Sequence, residues 1–447
     1  MIPTARVYAL LCLGLAIASL LGTFWDVQLG IASILLWDAS ILGLMLLDSW
    51  RSSQNRPLVK RHPLDRLSIG RDNPVVIEVQ SQSNDNNKSN NKDNDRIRQL
   101  KIRDDYPSEF QISEPWLSVS LAANASQEFT YSVQPMRRGE FKWGEIQVRQ
   151  LGPMGLAWHD WKVPQTQTVA VYPDLVGLRS LSIRLALQSS GTMRQIRSIG
   201  IGTEFAELRE YAIGDDPRLM DWKATARRSR PLVRVLEPEK EQTLIILLDR
   251  GRLMTARVRG LKRFDWGLNA TLSLALAGLS RGDRVGVGVF DRETVAWIPP
   301  ERGQHQLPKL ISRLTPIEPV LLEPDYLGAC TTLVRQQYRR ALVVLITDIV
   351  DAIASAELLA ALQRLTPRYL PFCVALRDPQ VDTFAHTFTS DLQDAYARAV
   401  SLDLLAQRQV AFAKLKQKGV LVLDAPADKI SDLIVDRYLQ LKARNLL

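Results

Sequence analysis

The chain has 447 residues, 46% of them hydrophobic and 23% charged, a length that exceeds one hydrophobic core and leaves room for two or three domains. Its net charge is +9, and because residues 1–50 hold only Arg6, Asp26, Asp38 and Asp48 as charged groups, the remainder carries about +11. That balance suits a neighbour of anionic lipid or acidic partners, or serves solubility alone. Three cysteines (Cys12, Cys330, Cys373) and four scattered histidines (His62, His159, His305, His386) form no disulfide framework, zinc spacing or HExxH signature, which argues against catalysis by metal-bound water.

Two apolar runs open the chain: Val7 to Phe24 carries no charge, and Leu29 to Leu47 is interrupted only by Asp38. Each approaches the ~20 residues that a helix needs to cross ~30 Å of hydrocarbon. A signal peptide competes for the first run, with Ala16, Ala18 and Ser19 as small residues, but the second run favours a membrane hairpin over residues 1–50. The turn at Trp25 and Asp26 has no basic residue, whereas Arg51, Arg56, Lys60, Arg61 and Arg66 follow the second run, which places both termini and the bulk of the chain in the cytoplasm. The expected location is therefore the plasma membrane, crossed twice. Asp38 falls mid-span, where an ionised carboxylate costs about 2.5 to 3.5 kcal/mol on insertion scales. It is expected to be protonated, or buried within the hairpin, and compensated by the surrounding Leu and Ile residues; the alternative is a proton-sensitive or partner-helix contact, with Ser19 or Thr23 as local partners.

From about Leu67 to Leu151 the apolar period is two, as in Val75 to Val79, Trp116 to Leu121 and Phe129 to Val133, with a turn at Arg137, Arg138 and Gly139. This predicts an antiparallel β-sandwich over residues 62–175. Its insert 81–95 is almost wholly Ser, Asn, Asp, Gln and Lys and is expected to be a flexible loop. Gly152 to Gly155 and the strand Val169 to Tyr172 lead on to a charge-dense segment, 195–236.

Apolar runs then alternate with helical patterns: Thr243 to Leu248 before Asp249, Phe264 to Leu279, Val285 to Phe290, Arg340 to Ile346 before Thr347 and Asp348, Ala354 to Leu365, Pro371 to Leu376, Ser390 to Lys418, Val420 to Leu423 and Ala427 to Ala443. That alternation predicts, over residues 240–443, a doubly wound α/β domain whose mostly parallel sheet is covered on both faces. The fold class is thus α/β plus all-β behind a transmembrane hairpin. Ligand sites in such sheets lie at the carboxyl ends of the strands, where Asp249 and Asp348 fall.

Strand, Asp249, helix, and a later strand ending in Thr347 and Asp348 resemble a von Willebrand factor type A domain. That resemblance implies a Mg²⁺ site built from an Asp-x-Ser-x-Ser loop, a threonine and a second aspartate. Here Gly251 and Leu253 replace both serines, Pro324 stands near the expected threonine, and Arg250 and Arg252 bring positive charge. No metal site and no cofactor are assigned; Asp249 and Asp348 are the residues a cation would use.

The segment from Gly202 to Tyr211 (GTEFAELREY) and from Gly214 to Arg227 (GDDPRLMDWKATAR) is the most specific signal. It resembles the signature of the bacterial family called domain of unknown function 58. The resemblance implies the same layout throughout: two membrane helices, a β-rich domain, this signature and a type A-like domain. Its notable residues are Glu204, Glu207, Arg209, Glu210, Tyr211, Gly214, Asp215, Asp216, Arg218, Asp221, Trp222, Lys223 and Arg227. Glu207 and Glu210 share a face if the stretch is helical. Adjacent Asp215 and Asp216 invite acid/base chemistry, but no nucleophile, histidine or phosphate loop accompanies them. No catalytic residue is assigned. The preferred reading is an ion-pair network that fixes the β-domain against the type A-like domain, with a partner-docking surface as the alternative. The basic run Lys223 to Arg234 includes no aromatic residue, has only Trp222 beside it and matches no nucleic-acid motif, so anionic lipid is a better match than nucleic acid.

These features suggest a non-enzymatic, membrane-anchored adaptor that recruits protein partners; the family resemblance implies a MoxR-type AAA+ ATPase among them, because the two are associated in gene neighbourhoods. The alternatives are a membrane-associated hydrolase using Asp215, Asp216 or Asp221, and a Mg²⁺-dependent adhesion module.

Overall fold

A computed structural model of the chain describes residues 1–24, 27–54, 56–64, 66–81, 98–122, 125–192, 204–237, 242–349, 355–387 and 392–444. They form two units, Met1–Tyr172 and Pro173–Leu447. The expected turn at Trp25 and Asp26 and, from residue 82 on, the polar insert 81–95 lie outside the described residues.

In the first unit the apolar runs are helices α1 (Ala5–Phe24) and α2 (Val27–Gln54), long and apolar enough to cross a bilayer. They pack through small residues: a Cβ on Gly30 would lie 3.0 Å from the Gly22 Cα and 2.9 Å from the Ala18 carbonyl oxygen. The Trp37 indole lies across Gly14 and donates to the Leu10 carbonyl at 2.9 Å. Burial of Asp38 within the hairpin, one of its two expected states, is not what the structure shows: its side chain is exposed on the outside. Thr23, proposed as its partner, donates instead to the carbonyls of Ser19 and Leu20 in its own helix.

Both ends of the hairpin meet the same sheet. Ile2–Pro3, ahead of α1, pairs with Ala157 and Trp158 as the edge of a five-stranded sheet continued by Ala157–Val163, Ile146–Leu151, Arg98–Asp104 and Leu117–Leu121. A four-stranded sheet runs Leu58–Arg61, Asn73–Gln80, Ser126–Pro135 and Phe110–Ile112. In a third, Gln167–Tyr172 lies between Gly139–Trp143 and Arg66–Ser68. The pairing with Arg66–Ser68 is parallel, an exception to the all-antiparallel expectation. Gly139 turns with φ +127°, a region that favours glycine. Arg61, buried, binds Asp104 at 2.6 Å, and Tyr131 donates to the same carboxylate at 2.7 Å.

The glycine-rich stretch Gly152 to Gly155 joins Ile146–Leu151 to Ala157–Val163. It is a turn within the five-stranded sheet, gripped by the feet of the hairpin. Asp48, wholly buried near the end of α2, accepts from the backbone N–H groups of Met154 at 2.8 Å, Leu156 at 2.9 Å and Ala157 at 3.2 Å. Thr4, just before α1, donates its hydroxyl to the Gly155 carbonyl at 2.8 Å and its backbone N–H to the Leu156 carbonyl at 3.0 Å.

The second unit holds a six-stranded sheet in the order Thr294–Glu301, Arg284–Phe290, Thr243–Asp249, Leu342–Thr347, Leu370–Arg377, Leu421–Pro426. Numbered along the chain this is 3-2-1-4-5-6, the doubly wound order, with only the edge strand Thr294–Glu301 antiparallel. The apolar runs are continuous because both faces are covered. Leu244, Ile246 and Leu248 point to a core shared with helices Leu175–Thr192, Arg263–Ser280, Gln306–Leu314 and Ile430–Ala443, while Ile245 and Leu247 point to one shared with Tyr326–Gln336, Ala356–Leu365 and Leu392–Gln417. The parallel pairing sets Asp249 and Thr347 side by side at the carboxyl edge of the sheet.

Candidate functional site

The site expected at the carboxyl ends of the strands does assemble, but its carboxylates are taken by protein donors. Asp249 is buried, and its Oδ1 accepts from the Gly251 N–H at 2.6 Å. Its Oδ2 accepts from the Thr347 hydroxyl at 2.7 Å and from the Tyr326 hydroxyl at 3.2 Å. Burial lifts the Asp249 pKa to about 6, assisted by the nearby Asp348 carboxylate and opposed by those three donors.

Gly251 stands where a metal-binding loop would carry its first serine. A side chain there has no room: a Cβ would lie 2.9 Å from both the Leu322 carbonyl oxygen and the Pro324 ring. The loop is pinned in that position, since the Arg252 N–H donates to the Leu322 carbonyl at 2.8 Å. The proline of the second loop therefore closes the pocket. Two residues further on, Tyr326, held edge-on to Phe290, supplies the hydroxyl that reaches Asp249. Tyr326 opens a helix capped by Asp325, whose side chain accepts from the Gly328 N–H at 2.7 Å.

Asp348 is neutralised by two arginines. Arg263 binds its Oδ2 at 2.5 Å, and the buried Arg408 binds its Oδ1 at 2.7 Å while reaching Asp424 at 2.9 Å. Those two carboxylates hold the Arg408 pKa above its ordinary value against the cost of burial. Arg250 and Arg252, which the sequence placed beside a would-be cation, turn away from it, to Asp291 at 2.6 Å and to Glu323 at 2.7 Å. Among the described residues no three His, Cys, Asp or Glu side chains gather as a metal would require. The chemistry of the donor set at this edge is hydroxyl and guanidinium, which suits carboxylates and not a divalent cation.

The signature segment is a β-ribbon and not a helix around Glu207 and Glu210. Glu204–Glu210 pairs antiparallel with Leu232–Glu237, with a bulge between Phe205 and Glu207. Glu207 and Glu210, three apart in a strand, therefore take opposite faces. The ribbon is bridged by a turn with Gly214 at φ +109°, a short 3₁₀ segment Pro217–Leu219 and a helix Trp222–Arg228. Its ion pairs close within the segment: Arg209 to Asp215 at 2.5 Å, Arg230 to Glu210 at 2.9 Å and Arg234 to Asp221 at 2.9 Å. Among the described residues these pairs fasten the ribbon to its own turn and helix cap.

Each aspartate in the turn has a structural task. Asp215 also accepts from the Ala212 N–H, Asp216 from the Arg218 N–H and Asp221 from the Ala224 N–H. Backbone donors first and arginine second hold Asp215 and Asp221 below the usual carboxylate range, the wrong direction for a general acid. Tyr211 donates its backbone N–H to the Pro231 carbonyl. Arg218, Trp222, Lys223 and Arg227 are exposed. The side chain of Glu204 lies outside the described residues.

The family described as "Protein of unknown function DUF58" matches residues 207–414. An uncharacterized protein of Mycobacterium bovis is 26% identical over 210 residues, covering 46% of this chain and 65% of its own length. The uncharacterized protein YeaD of Bacillus subtilis is 24% identical over 196 residues, covering 43% and 44%. The chain thus spans less than two thirds of the length of these relatives. Among solved structures, the conserved hypothetical protein BatB of Bacteroides thetaiotaomicron aligns with 14% identity and a TM-score of 0.32, covering 45% of this chain and 99% of that one.

Proposed function

We propose that this chain, whose residues 207–414 match the family described as protein of unknown function DUF58, is a membrane-anchored, non-enzymatic adaptor whose type A-like domain binds protein partners without a metal ion. The observation that carries this reading is the closed state of the carboxyl edge: Asp249 bound by Thr347, Tyr326 and Gly251, and Asp348 by Arg263 and Arg408. Where the type A resemblance would put an ion, both carboxylates already have internal donors. What remains for recognition is protein surface.

In this reading α1 and α2 cross the plasma membrane as a hairpin. The shared contact of Ile2–Pro3 and the end of α2 with one sheet supports a return to the starting side. The basic residues after α2 assign that side to the cytoplasm. A MoxR-type AAA+ ATPase is the partner that family resemblance suggests. The test is co-purification of the tagged full chain from detergent-solubilised native membranes, in magnesium and in chelator. Recovery of a stoichiometric partner under both conditions supports the adaptor, and recovery of none counts against it.

A further inference from the structure

We propose that the outward face of α2 around Asp38 docks a transmembrane helix of another protein, one that presents a basic side chain at mid-bilayer. The inference rests on the hairpin spanning the membrane. Asp38 lies 11 residues from the start of α2 and 10 from Asp48, or roughly 15 Å from each at 1.5 Å per residue. That is the centre of a hydrocarbon layer about 30 Å thick. Ionisable residues at such depth face a bundle interior or a cavity and pair with one another or with carbonyls. Asp38 does neither within the hairpin. Its side chain is exposed, and Ile31, Leu35 and Leu42, at helical spacing on the same side, are 56%, 64% and 58% exposed. Two hydroxyls of the hairpin, Ser40 and Thr23, are engaged elsewhere, Ser40 with the Trp37 carbonyl at 2.7 Å and Thr23 with carbonyls of α1. The stripe is therefore an apolar contact surface with one acid at its centre.

Charge decides the occupant. Among the described residues of α1 and α2 the only basic side chains are Arg6 and Arg51, at the feet of the hairpin. A second copy of this chain would set Asp38 against Asp38 with no cation between them. A foreign helix with a central Lys or Arg supplies the complement.

The full-length protein in phosphatidylcholine vesicles tests this with its own chemistry. Cys12, in α1, is exposed, while Cys330 and Cys373 are buried, so a bimane thiol label reports from Cys12 alone. The probe is a polyleucine helix of about 20 residues with a central lysine and a terminal quencher, compared with the same helix lacking lysine. The lysine helix is expected to quench at about one tenth of the density of the plain helix, and Asp38→Asn and Asp38→Leu to abolish the difference. Equal quenching by the two helices in the unaltered protein overturns the proposal. So does Asp38-dependent association between copies of the protein without any probe helix, which would assign the face to self-assembly. Bimane emission that nitroxide lipids fail to quench would show that the hairpin is not in the bilayer, overturning the spanning reading and this proposal with it.

Discussion

The hydroxyl of Thr347 donates to Oδ2 of Asp249 at 2.7 Å across two neighbouring parallel strands. This contact places a hydroxyl donor on one of the two carboxylates, Asp249 and Asp348, that the sequence offered to a cation. The expected consequences concern charge, packing and the ties between elements.

Folding raises the Asp249 pKa from 3.8 to about 6, so the folded chain binds this proton more tightly than the unfolded one. The resulting contribution to stability is complete below about pH 4 and is lost as pH rises through 6. Asp249→Asn keeps an oxygen for the Gly251 N–H and turns its amide toward Thr347. The variant should stay folded, flatten the pH dependence between 4 and 7, and match or exceed the parent at pH 7.5 by about 1 to 3 kcal/mol. Denaturant melts across that pH range measure both effects.

Arg408 ties Asp348 to Asp424 from inside the sheet edge. Arg408→Ala leaves both carboxylates without this partner in a buried setting and should cost about 3 to 5 kcal/mol. Arg252→Ala, which removes an exposed pair with Glu323, should cost about 1 kcal/mol or less. Thermal melts of the two variants, side by side, separate a structural clamp from a surface ion pair.

Asp48 satisfies three backbone donors at 154, 156 and 157. Asp48→Ala strands them in a buried site at a cost of about 3 kcal/mol. Hydrogen exchange should accelerate at those amides while Val75, Ile77 and Val79, in the four-stranded sheet, stay protected. Uniform acceleration would mean that Asp48 supports the whole β-domain rather than its junction with the hairpin.

In the signature, Asp221 caps Trp222–Arg228 and binds Arg234. Asp221→Ala should fray the first turn of that helix, read as faster amide exchange at Ala224, and Asp221→Asn should recover the cap but not the ion pair. If the chain were a hydrolase using this turn, replacing Asp215, Asp216 and Asp221 together by alanine would abolish turnover of its substrate. The adaptor reading expects no such turnover in the parent.

Much of the architecture was legible because burial on both faces leaves uninterrupted apolar runs. Thr243 to Leu248 and Val285 to Phe290 needed no tertiary knowledge, and the hairpin announced itself by its near absence of charge. The edge strand Thr294–Glu301 was not among the expected strands; it carries Pro299 and Pro300, which are tolerated at the edge of a sheet. At the site, Asp249 and Asp348 were visible as strand-terminal acids, but their partners were not. Tyr326 and Arg408 lie 77 and 60 residues from the carboxylates they bind, and nothing local marks either as a donor. Asp48 looked like the boundary of an apolar run; its role depends on a turn more than 100 residues away. Glu207 and Glu210 were misplaced on a helical face because the apolar spacing of FAEL fits a helix or a bulged strand equally.

Titration calorimetry of the detergent-solubilised full chain with Mg²⁺ tests most directly whether the carboxylates at the sheet edge are closed to an ion. No saturable heat is expected at millimolar Mg²⁺, with the Asp249→Ala trace superimposing on the parent. Saturable binding that disappears in Asp249→Ala would contradict this and restore a cation-dependent adhesion module.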